Sequence, residues 1–243
     1  MRRPRSWLDA PLAAGTQVEL PETVLRHLRQ VLRLKPGDEV VLFNGRDGRD
    51  WQARLVALDR RRWAAEVLAG SEPESPPALA FTLALGISRG ERMDWTLQKA
   101  VELGATAFQP LFTERTQVKL PAERLARRLT HWQGVIRSAC EQSGRRRLPT
   151  LAEPLPLSRW LESPRPATLL LDPRADRTLP QLQAPDGELA FLIGPEGGLS
   201  PREREAARAA GCTGVRLGPR TLRTETAPLA ALAAAQVLWG DFR

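Results

Sequence analysis

The chain has few of the residues that build cross-links or histidine-based sites. Its two cysteines, Cys140 and Cys212, stand far apart and form no Cys-x-x-Cys pair, and its only histidines are His27 and His131. This composition therefore indicates no disulfide framework, no metal site and no Ser-His-Asp catalytic site. We therefore expect a protein without a metal, in a reducing cytoplasm.

Long apolar runs are also missing. No stretch approaches the roughly 18 apolar residues of a membrane-spanning helix. The N-terminus, MRRPRSWLDAPLAAG, is basic but lacks an adequate apolar segment for secretion. We expect no membrane partner. With 243 residues, 42% of them hydrophobic, the chain is long enough for one large or two modest domains with a real core.

Acidic residues are outnumbered by basic ones. Thirty-six Lys and Arg face 28 Asp and Glu, which gives a net charge of +8, and most of the basic residues are arginine. Arginine binds phosphate bidentately and stacks on bases, so this excess favours an RNA partner. The abundance of Ala, Arg, Gly and Pro points equally to genomic composition, so charge alone decides little.

Residues 1–72 are predicted to form a small β-barrel with one inserted helix. Strands are expected at 17–20, 39–43, 51–58 and 63–68, with the helix inside 21–34. Basic side chains on the helix and the following turns form either an RNA-binding or a simply solvated face: Arg26, Arg29, Arg33, Lys35, Arg46 and Arg49. The proline-rich residues 73–77 are predicted to be a linker.

Residues 78–243 are predicted to form an α/β domain. A strand ending at Leu85, a helix ending at Gly104 and a strand over 105–112 give a β-α-β order, which implies a parallel sheet. Further strands are expected at 168–171, 188–193 and 214–217, and an amphipathic helix at 121–143. The final helix, 228–239, is alanine-rich and nearly uncharged, so we expect it to pack on a large apolar surface, either the core or a partner chain, and we favour a subunit interface.

Two glycine-rich loops follow two of these strands. The first carries Glu196, Gly197 and Gly198 and ends at Ser200, which is expected to cap a helix in a capping box with Glu203. The second runs over 218–225, and Thr224 or Thr226 is expected to cap the last helix. Loops at the carboxyl ends of parallel strands form ligand pockets, although a glycine-bearing loop is often only a connector.

The paired motifs IGPEGGLS and LGPRTLRTETA closely resemble the ribosomal RNA small-subunit methyltransferase E family of SPOUT methyltransferases. The segments QKAVELG (98–104) and EQSGR (141–145) match it too. The resemblance implies a SPOUT-type parallel sheet with a C-terminal trefoil knot, preceded by a PUA-like RNA-binding β-barrel. It also implies methylation of N3 of a uridine in the 16S RNA of the small ribosomal subunit, with S-adenosylmethionine as cofactor, by a homodimer.

The resemblance further implies the residues that hold the cofactor, and the basic residues of the sequence give the candidate RNA contacts. The cofactor set is Leu171, Ile193, Gly194, Glu196, Gly197, Gly198, Leu217, Gly218, Leu222, Arg223, Thr226 and Ala227; core packing is an equally natural role for Leu171. The RNA set is Arg26, Arg29, Arg33, Lys35, Arg89, Arg92, Arg115, Arg145, Arg146 and Arg147. The family often has a Pro-Lys pair where this chain has Ser88-Arg89, which leaves the role of Arg89 open, and Arg145–Arg147 could instead stabilise a helix C-terminus.

Methylation of uracil N3 requires loss of a proton and stabilisation of the resulting anion. An arginine near O2 or O4 suits the second task, and Arg223 is our first choice and Arg220 the second. Glu196 or Glu225 could assist proton removal if burial raises its pKa. Alternatively, Glu196 binds cofactor or loop groups, and Glu225 does no more than form an ion pair with Arg223. The alternatives are a related methyltransferase acting on ribose or transfer RNA, and a non-catalytic RNA-binding assembly factor.

Overall fold

The computed structural model describes residues 3–117 and 121–242. Contacts between Cα atoms group the chain into two units, Met1–Pro76 with Cys140–Leu148, and Pro77–Ala139 with Pro149–Arg243. Division into 1–72, a linker at 73–77 and 78–243 remains our proposal for the domains, and its outer limits at 1 and 243 lie outside the described residues. The sequence did not indicate that 140–148 would group with the first unit.

The first unit is built on a five-stranded sheet. Its strands are β1 (Arg5–Trp7), β2 (Gln17–Glu19), β3 (Glu39–Phe43), β4 (Trp51–Ala57) and β5 (Trp63–Gly70), in the spatial order β1-β3-β4-β5-β2. The β1–β3 pair is parallel and the other three pairs are antiparallel. The strand β1 was not predicted, and it extends the sheet by pairing with the strand that carries Val40, Leu42 and Phe43 into the core.

The inserted helix lies within residues 21–34, as predicted, and it is not a regular α-helix throughout. Helix α1 spans Glu22–Arg26 and continues as a π-helical turn over His27–Val31. Leu25 and Leu28 are buried in the core of this unit, while Val31 is 66% exposed. The helix ends before Arg33, which has a φ of 56° that interrupts a right-handed helix.

The segment Cys140–Leu148 is tied to this unit through Arg5 and Glu141. The guanidinium of Arg5 donates to the Cys140 carbonyl at 2.7 Å, pairs with Asp50 at 2.7 Å, and lies 4.5 Å from the ring centroid of Phe43. The carboxylate of Glu141 accepts the backbone N–H of Trp7 at 2.9 Å. The EQSGR segment therefore has a clear structural role.

The second unit is built on a seven-stranded sheet in which every pairing between described residues is parallel. Six strands follow the order β12-β10-β11-β6-β7-β8, and β9 pairs with β7. Their bounds are β6 (Ala80–Gly86), β7 (Ala107–Phe112), β8 (Thr150–Leu151), β9 (Leu155–Pro156), β10 (Ala167–Leu171), β11 (Glu188–Ile193) and β12 (Thr213–Val215). The α/β class with a parallel sheet is thus confirmed; the trefoil knot stays a prediction.

Helices and short apolar strands together form the core of this unit. The helices are α2 (Glu91–Glu102), α3 (Ala122–Ser143), α4 (Leu157–Glu162), α5 (Pro201–Ala209) and α6 (Thr226–Trp239), with a 3₁₀ turn at Leu179–Gln181. Phe81 on β6 and Phe191 on β11 stack with their ring centroids 6.4 Å apart. Helix α4 and the two-residue strands β8 and β9 were not predicted, since they are too short to give a periodic pattern.

Two predictions near the second glycine-rich loop were wrong. The last helix begins at Thr226 with Glu225 at the N-cap and has no side-chain cap, so neither Thr224 nor Thr226 caps it. The Thr224 hydroxyl instead donates to the Gly194 carbonyl at 2.8 Å, which ties the second loop to the first. Strand β12 ends at Val215, so Leu217 belongs to the loop.

Within the described residues, no helix is long and apolar enough to cross a membrane. The same part of the chain holds no group of three or more His, Cys, Asp or Glu side chains that could bind a metal ion. Both cysteines are free and buried.

Candidate cofactor cleft

The first loop leaves β11 at Gly194 in a turn that admits no side chain. A Cβ atom on Gly194 would lie 2.6 Å from the Leu199 nitrogen, so the loop closes back onto its own start. Gly198 has a φ of 65°, which glycine adopts without strain. The turn also packs closely on the end of β6, because a Cβ on Gly86 would lie 2.5 Å from Pro195 Cδ.

The capping box that follows the loop confirms the predicted helix start. Ser200 Oγ accepts the Glu203 N–H at 3.1 Å, and the Glu203 carboxylate accepts the Ser200 N–H at 2.8 Å. Glu203 is buried, and its other oxygen accepts the N–H of Glu114 at 2.7 Å. Beside it, Arg115 donates to the Gly197 carbonyl at 2.8 Å. The loop after β7 is thereby held over the first glycine-rich loop.

The two loops and the end of β10 enclose a cleft of about 760 Å³. This volume is ordinary for a small-molecule site. Its lining includes most of the predicted cofactor and catalytic residues: Leu171, Ile193, Gly194, Glu196, Gly197, Gly198, Leu217, Leu222, Arg223 and Ala227, together with Arg220 and Glu225. Gly218 and Thr226, also predicted to bind cofactor, do not line it.

The predicted RNA-binding arginines divide into three groups, and the first lies at this cleft. Arg92 and Arg115 line it. Arg89 is exposed next to it, and its backbone N–H donates to Glu196 Oε1 at 2.8 Å. These three cations therefore lie at the mouth of the cleft, where an RNA phosphate or base edge could reach them.

The second group lies in the first unit, around a separate groove of about 980 Å³. Arg26 and Arg29 line this groove together with Arg61 and Arg62. The Arg29 guanidinium lies 5.2 Å from the Trp63 ring centroid, a cation–π contact. Arg33 and Lys35 are exposed but do not line the groove.

The third group, Arg145–Arg147, is half-buried in the first unit and largely makes internal contacts. The carboxylate of Glu74 accepts the backbone N–H groups of Arg146 and Arg147 at 3.0 and 3.2 Å. The guanidinium of Arg147 donates to the Arg46 carbonyl at 2.6 Å, and that of Arg146 donates to the Glu72 carbonyl at 2.9 Å. These contacts give the cluster a structural role that the sequence left open.

Glu196 is an ion-paired carboxylate that joins the loop after β11 to the loop after β6. Its Oε1 accepts the Arg89 N–H and pairs with Arg92 Nη1 at 3.0 Å. Burial raises the pKa of Glu196, but hydrogen bonds from the backbone of Arg89 and of Glu196 itself and from Arg92 outweigh it and hold the pKa below its ordinary value. The condition under which Glu196 was expected to act as a base, a pKa raised by burial, is therefore not met.

Glu225 and Arg223 occupy the second loop. Glu225 is 15% exposed and lies 3.9 Å from Arg223 on one oxygen and 3.9 Å from Arg92 on the other. The Arg223 side chain is 83% exposed, and its backbone carbonyl accepts the N–H groups of Thr226 and Ala227, which starts α6. The loop thus presents an accessible guanidinium next to a shielded carboxylate.

Sequence reasoning missed Asp172, which follows β10 and lines the cleft. This residue is 3% exposed, and its carboxylate pairs with Arg208 at 2.7 Å and Arg204 at 3.8 Å. Its other oxygen accepts the Arg174 N–H at 3.1 Å. The signal available was its place directly after a predicted buried strand, at the same sheet edge as the two loops.

The fold is that of an α/β protein with a cleft between two glycine-bearing loops at one edge of a parallel sheet, and comparison with known proteins supplies its class. The family model described as "RNA methyltransferase domain" matches residues 74–236, and the model "RNA methyltransferase PUA domain" matches residues 20–68. These two matches together define an RNA methyltransferase with an N-terminal PUA domain.

Individual relatives narrow this class. The ribosomal RNA small subunit methyltransferase E of Synechocystis is 37% identical over 89% of this chain and 71% of its own length. The solved structure of the Neisseria gonorrhoeae protein of that name, bound to S-adenosylmethionine, is 42% identical with a TM-score of 0.92 and full coverage of both chains. A putative methyltransferase of Legionella pneumophila, in complex with the same cofactor, is 34% identical with a TM-score of 0.95, again over both whole chains. The chain belongs to the ribosomal RNA small subunit methyltransferase E family.

Proposed function

We propose that this protein methylates N3 of a uridine in the RNA of the small ribosomal subunit, with S-adenosylmethionine as the methyl donor. The observation that carries the proposal is the cleft, in which ten of the twelve residues that the family resemblance assigns to the cofactor come together. The full-length match to a small-subunit methyltransferase structure bound to S-adenosylmethionine supports both the cofactor and the kind of RNA.

The residues of the cleft fit this cofactor. Leu171, Ile193, Leu217 and Leu222 supply apolar walls for an adenine ring, and the loop backbone around Gly197 supplies polar groups at close approach. A Cβ on Gly197 would lie 3.2 Å from the Arg115 side chain, so a larger residue at 197 would press on Arg115. When bound, S-adenosylmethionine supplies a methyl group on a positively charged sulfur.

The protein's own residues then act on the RNA base. The accessible guanidinium of Arg223 stabilises the negative charge that develops on the uracil carbonyl oxygens as N3 loses its proton. Arg89, Arg92 and Arg115 at the mouth of the cleft, together with the groove at Arg26 and Arg29, bind RNA phosphates. The residues of the second unit therefore carry out the methyl transfer, and those of the first unit increase the affinity for RNA.

The working form of the enzyme is a homodimer in the cytoplasm. Helix α6 buries Ala231, Leu232 and Ala235 within its own unit, yet Val237 on the same helix is 57% exposed. An exposed valine on a nearly uncharged helix fits a subunit interface. Two free, buried cysteines agree with a reducing compartment.

Calorimetric titration with S-adenosylmethionine tests the cofactor part of the proposal. We expect saturable binding by the wild type and weaker binding by Gly197→Val, because the added methyl groups displace Arg115 and obstruct the peptide. Gly134→Ala is the matched control, since a Cβ at Gly134 meets nothing within 4 Å. Undetectable binding to the wild type would favour the non-catalytic assembly factor, and unchanged affinity in Gly197→Val would remove that residue from the site.

A further inference from the structure

The structure indicates which group takes the proton from uracil N3, an inference that rests on the proposed function. Three carboxylates line the cleft among the described residues, those of Asp172, Glu196 and Glu225. Neither histidine lines it. A proton acceptor needs an oxygen lone pair that is not already held by strong donors, so the three carboxylates can be compared by their contacts.

Asp172 is fully engaged. Its Oδ2 pairs with Arg208 at 2.7 Å and with Arg204 at 3.8 Å, and its Oδ1 accepts the Arg174 N–H at 3.1 Å. Its side chain is 2% exposed. This carboxylate therefore serves to anchor the end of β10 to helix α5, and moving a proton onto it would break a buried ion pair.

Glu196 is engaged on one oxygen and inaccessible on the other. Its Oε1 accepts both the Arg89 N–H and an Arg92 N–H, at 2.8 and 3.0 Å. Its Oε2 has no hydrogen-bond partner among the described residues but is fully buried, so a uracil N–H has no access to it. Helix α2 begins beside it with Gly90 at the N-cap, which offers no side-chain cap, and Glu196 adds a negative group to the acidic residues of the first turn, Glu91 and Asp94. We assign Glu196 a positioning role: it fastens the loop after β6 to the first glycine-rich loop.

Glu225 differs from both. Its oxygens have ion-pair partners only at 3.9 Å, Arg223 on one side and Arg92 on the other, and both distances exceed that of a hydrogen bond. Its position at the N-cap of α6 fixes its backbone, and its side chain is 15% exposed in the cleft. A largely shielded carboxylate with no close donor stands next to the guanidinium that stabilises the uracil anion.

We propose that Glu225 accepts the N3 proton of the target uridine. The N3–H electron pair becomes the attacking pair, the N3–CH₃ bond forms as the S–CH₃ bond of the bound donor breaks, and that pair stays on sulfur, which becomes an uncharged thioether. The proton on Glu225 leaves to solvent after the product dissociates. Arg223 assists the same proton transfer, because it stabilises the negative charge on O2 or O4 while Glu225 removes the proton.

The test compares Glu225→Gln and Glu196→Gln on two substrates. Small subunits reconstituted with ordinary 16S RNA are compared with subunits whose 16S RNA contains 5-fluorouridine, a base whose N3–H is more acidic than that of uridine. Single-turnover methylation gives the rate of the chemical step, and calorimetry with S-adenosylmethionine gives cofactor affinity for each variant. Glutamine keeps the shape of glutamate in both variants but cannot take the proton.

We expect Glu225→Gln to lose about 10²- to 10³-fold in rate on ordinary RNA, as is typical when a general base is removed, with unchanged cofactor affinity. On 5-fluorouridine RNA the methylation rate of Glu225→Gln should recover at least tenfold relative to that of the wild type, because the more acidic N3–H depends less on a general base. Glu196→Gln should show no such recovery. Wild-type rates in Glu225→Gln, or equal losses on both RNAs, would overturn the assignment, whereas inactive wild type on ordinary subunits would instead overturn the proposed function.

Discussion

Arg223 is a residue whose chemical role can be separated from any structural one. Its side chain is 83% exposed, and its one described ion pair, with Glu225, has a separation of 3.9 Å. Loss of such a contact costs little stability, since exposed pairs contribute about 0–1 kcal/mol. A strong effect on methylation would therefore report on the reaction itself.

We predict that Arg223→Ala lowers the methylation rate by about 10²-fold or more, as for removal of an oxyanion-stabilising donor, and leaves the fold intact. The measurements are a methylation assay on small subunits and thermal unfolding followed by circular dichroism. Arg202→Ala is the control, because Arg202 is exposed on α5 and does not line the cleft. Full activity in Arg223→Ala would remove this residue from the mechanism.

Glu196 gives a prediction about pH. Its pKa lies below the ordinary value of 4.5 in the folded protein, so its ionised form favours the folded state. This contribution is present above pH 4.5 and is lost as the pH falls through the lowered pKa. We expect the free energy of unfolding of the wild type to exceed that of Glu196→Gln at neutral pH, and the difference to shrink on acidification below 4.5. Urea titrations at several pH values measure it, and a difference that stays constant would contradict the ion-paired carboxylate.

The contacts of Glu196 and Asp172 could not be predicted from the sequence. Glu196 was singled out from its place among glycines, but its partner Arg89 lies 107 positions earlier, and its hydrogen bonds depend on how the ends of two strands meet. The direction of its pKa shift could not be deduced without that contact. Asp172 was overlooked for the same reason, because its two arginine partners lie on a helix that follows much later.

At the scale of elements, periodicity and capping signals served well where a helix or strand was long. The predicted strand Glu188–Ile193 has the observed bounds, and the capping box at Ser200 is present. Predictions failed where a local signal competed with a tertiary contact. Thr224 has a residue type that favours helix caps, but its hydroxyl bonds to Gly194 on the neighbouring loop instead.

Helices α2 and α6 are joined by a buried glutamine that gives an element-scale prediction. Gln236 is 3% exposed; its Nε2 donates to the Leu103 carbonyl at 2.9 Å and its Oε1 accepts the Asp241 N–H at 3.1 Å. We expect Gln236→Ala to lower the free energy of unfolding by about 1–3 kcal/mol, because both backbone groups lose their partner. Urea denaturation measures this, with Gln98→Ala on the exposed face of α2 as control. Equal stability of the two variants would contradict the proposed bridge.

At the scale of the whole molecule, the exposed end of α6 makes the homodimer testable. We predict that the wild type sediments at twice the chain mass of 27.0 kDa and that Val237→Glu shifts it toward the monomer, since a carboxylate would be buried without a partner. Val31→Glu is the matched control, because Val31 is 66% exposed in the first unit. A monomeric wild type, or a Val237→Glu variant that stays dimeric, would rule out this end of α6 as the interface.

Family membership and the α/β class with a PUA domain were predicted correctly from two loop motifs and are confirmed. The β-α-β pattern predicted a parallel sheet, in which the loops after the strands share one edge, but the order of the strands was not predicted. The knot, the dimer and the RNA contacts remain predictions, since each depends on chain threading or on a second molecule that no local pattern encodes.

The proposed reaction is best tested by methylation of isolated small ribosomal subunits and of naked 16S RNA, with the methylated nucleotide located by mass spectrometry. We expect a single methyl group on N3 of one uridine, transferred only when S-adenosylmethionine is present. A methyl group on a ribose 2′-oxygen, modification of transfer RNA instead, or no transfer to either substrate would contradict it.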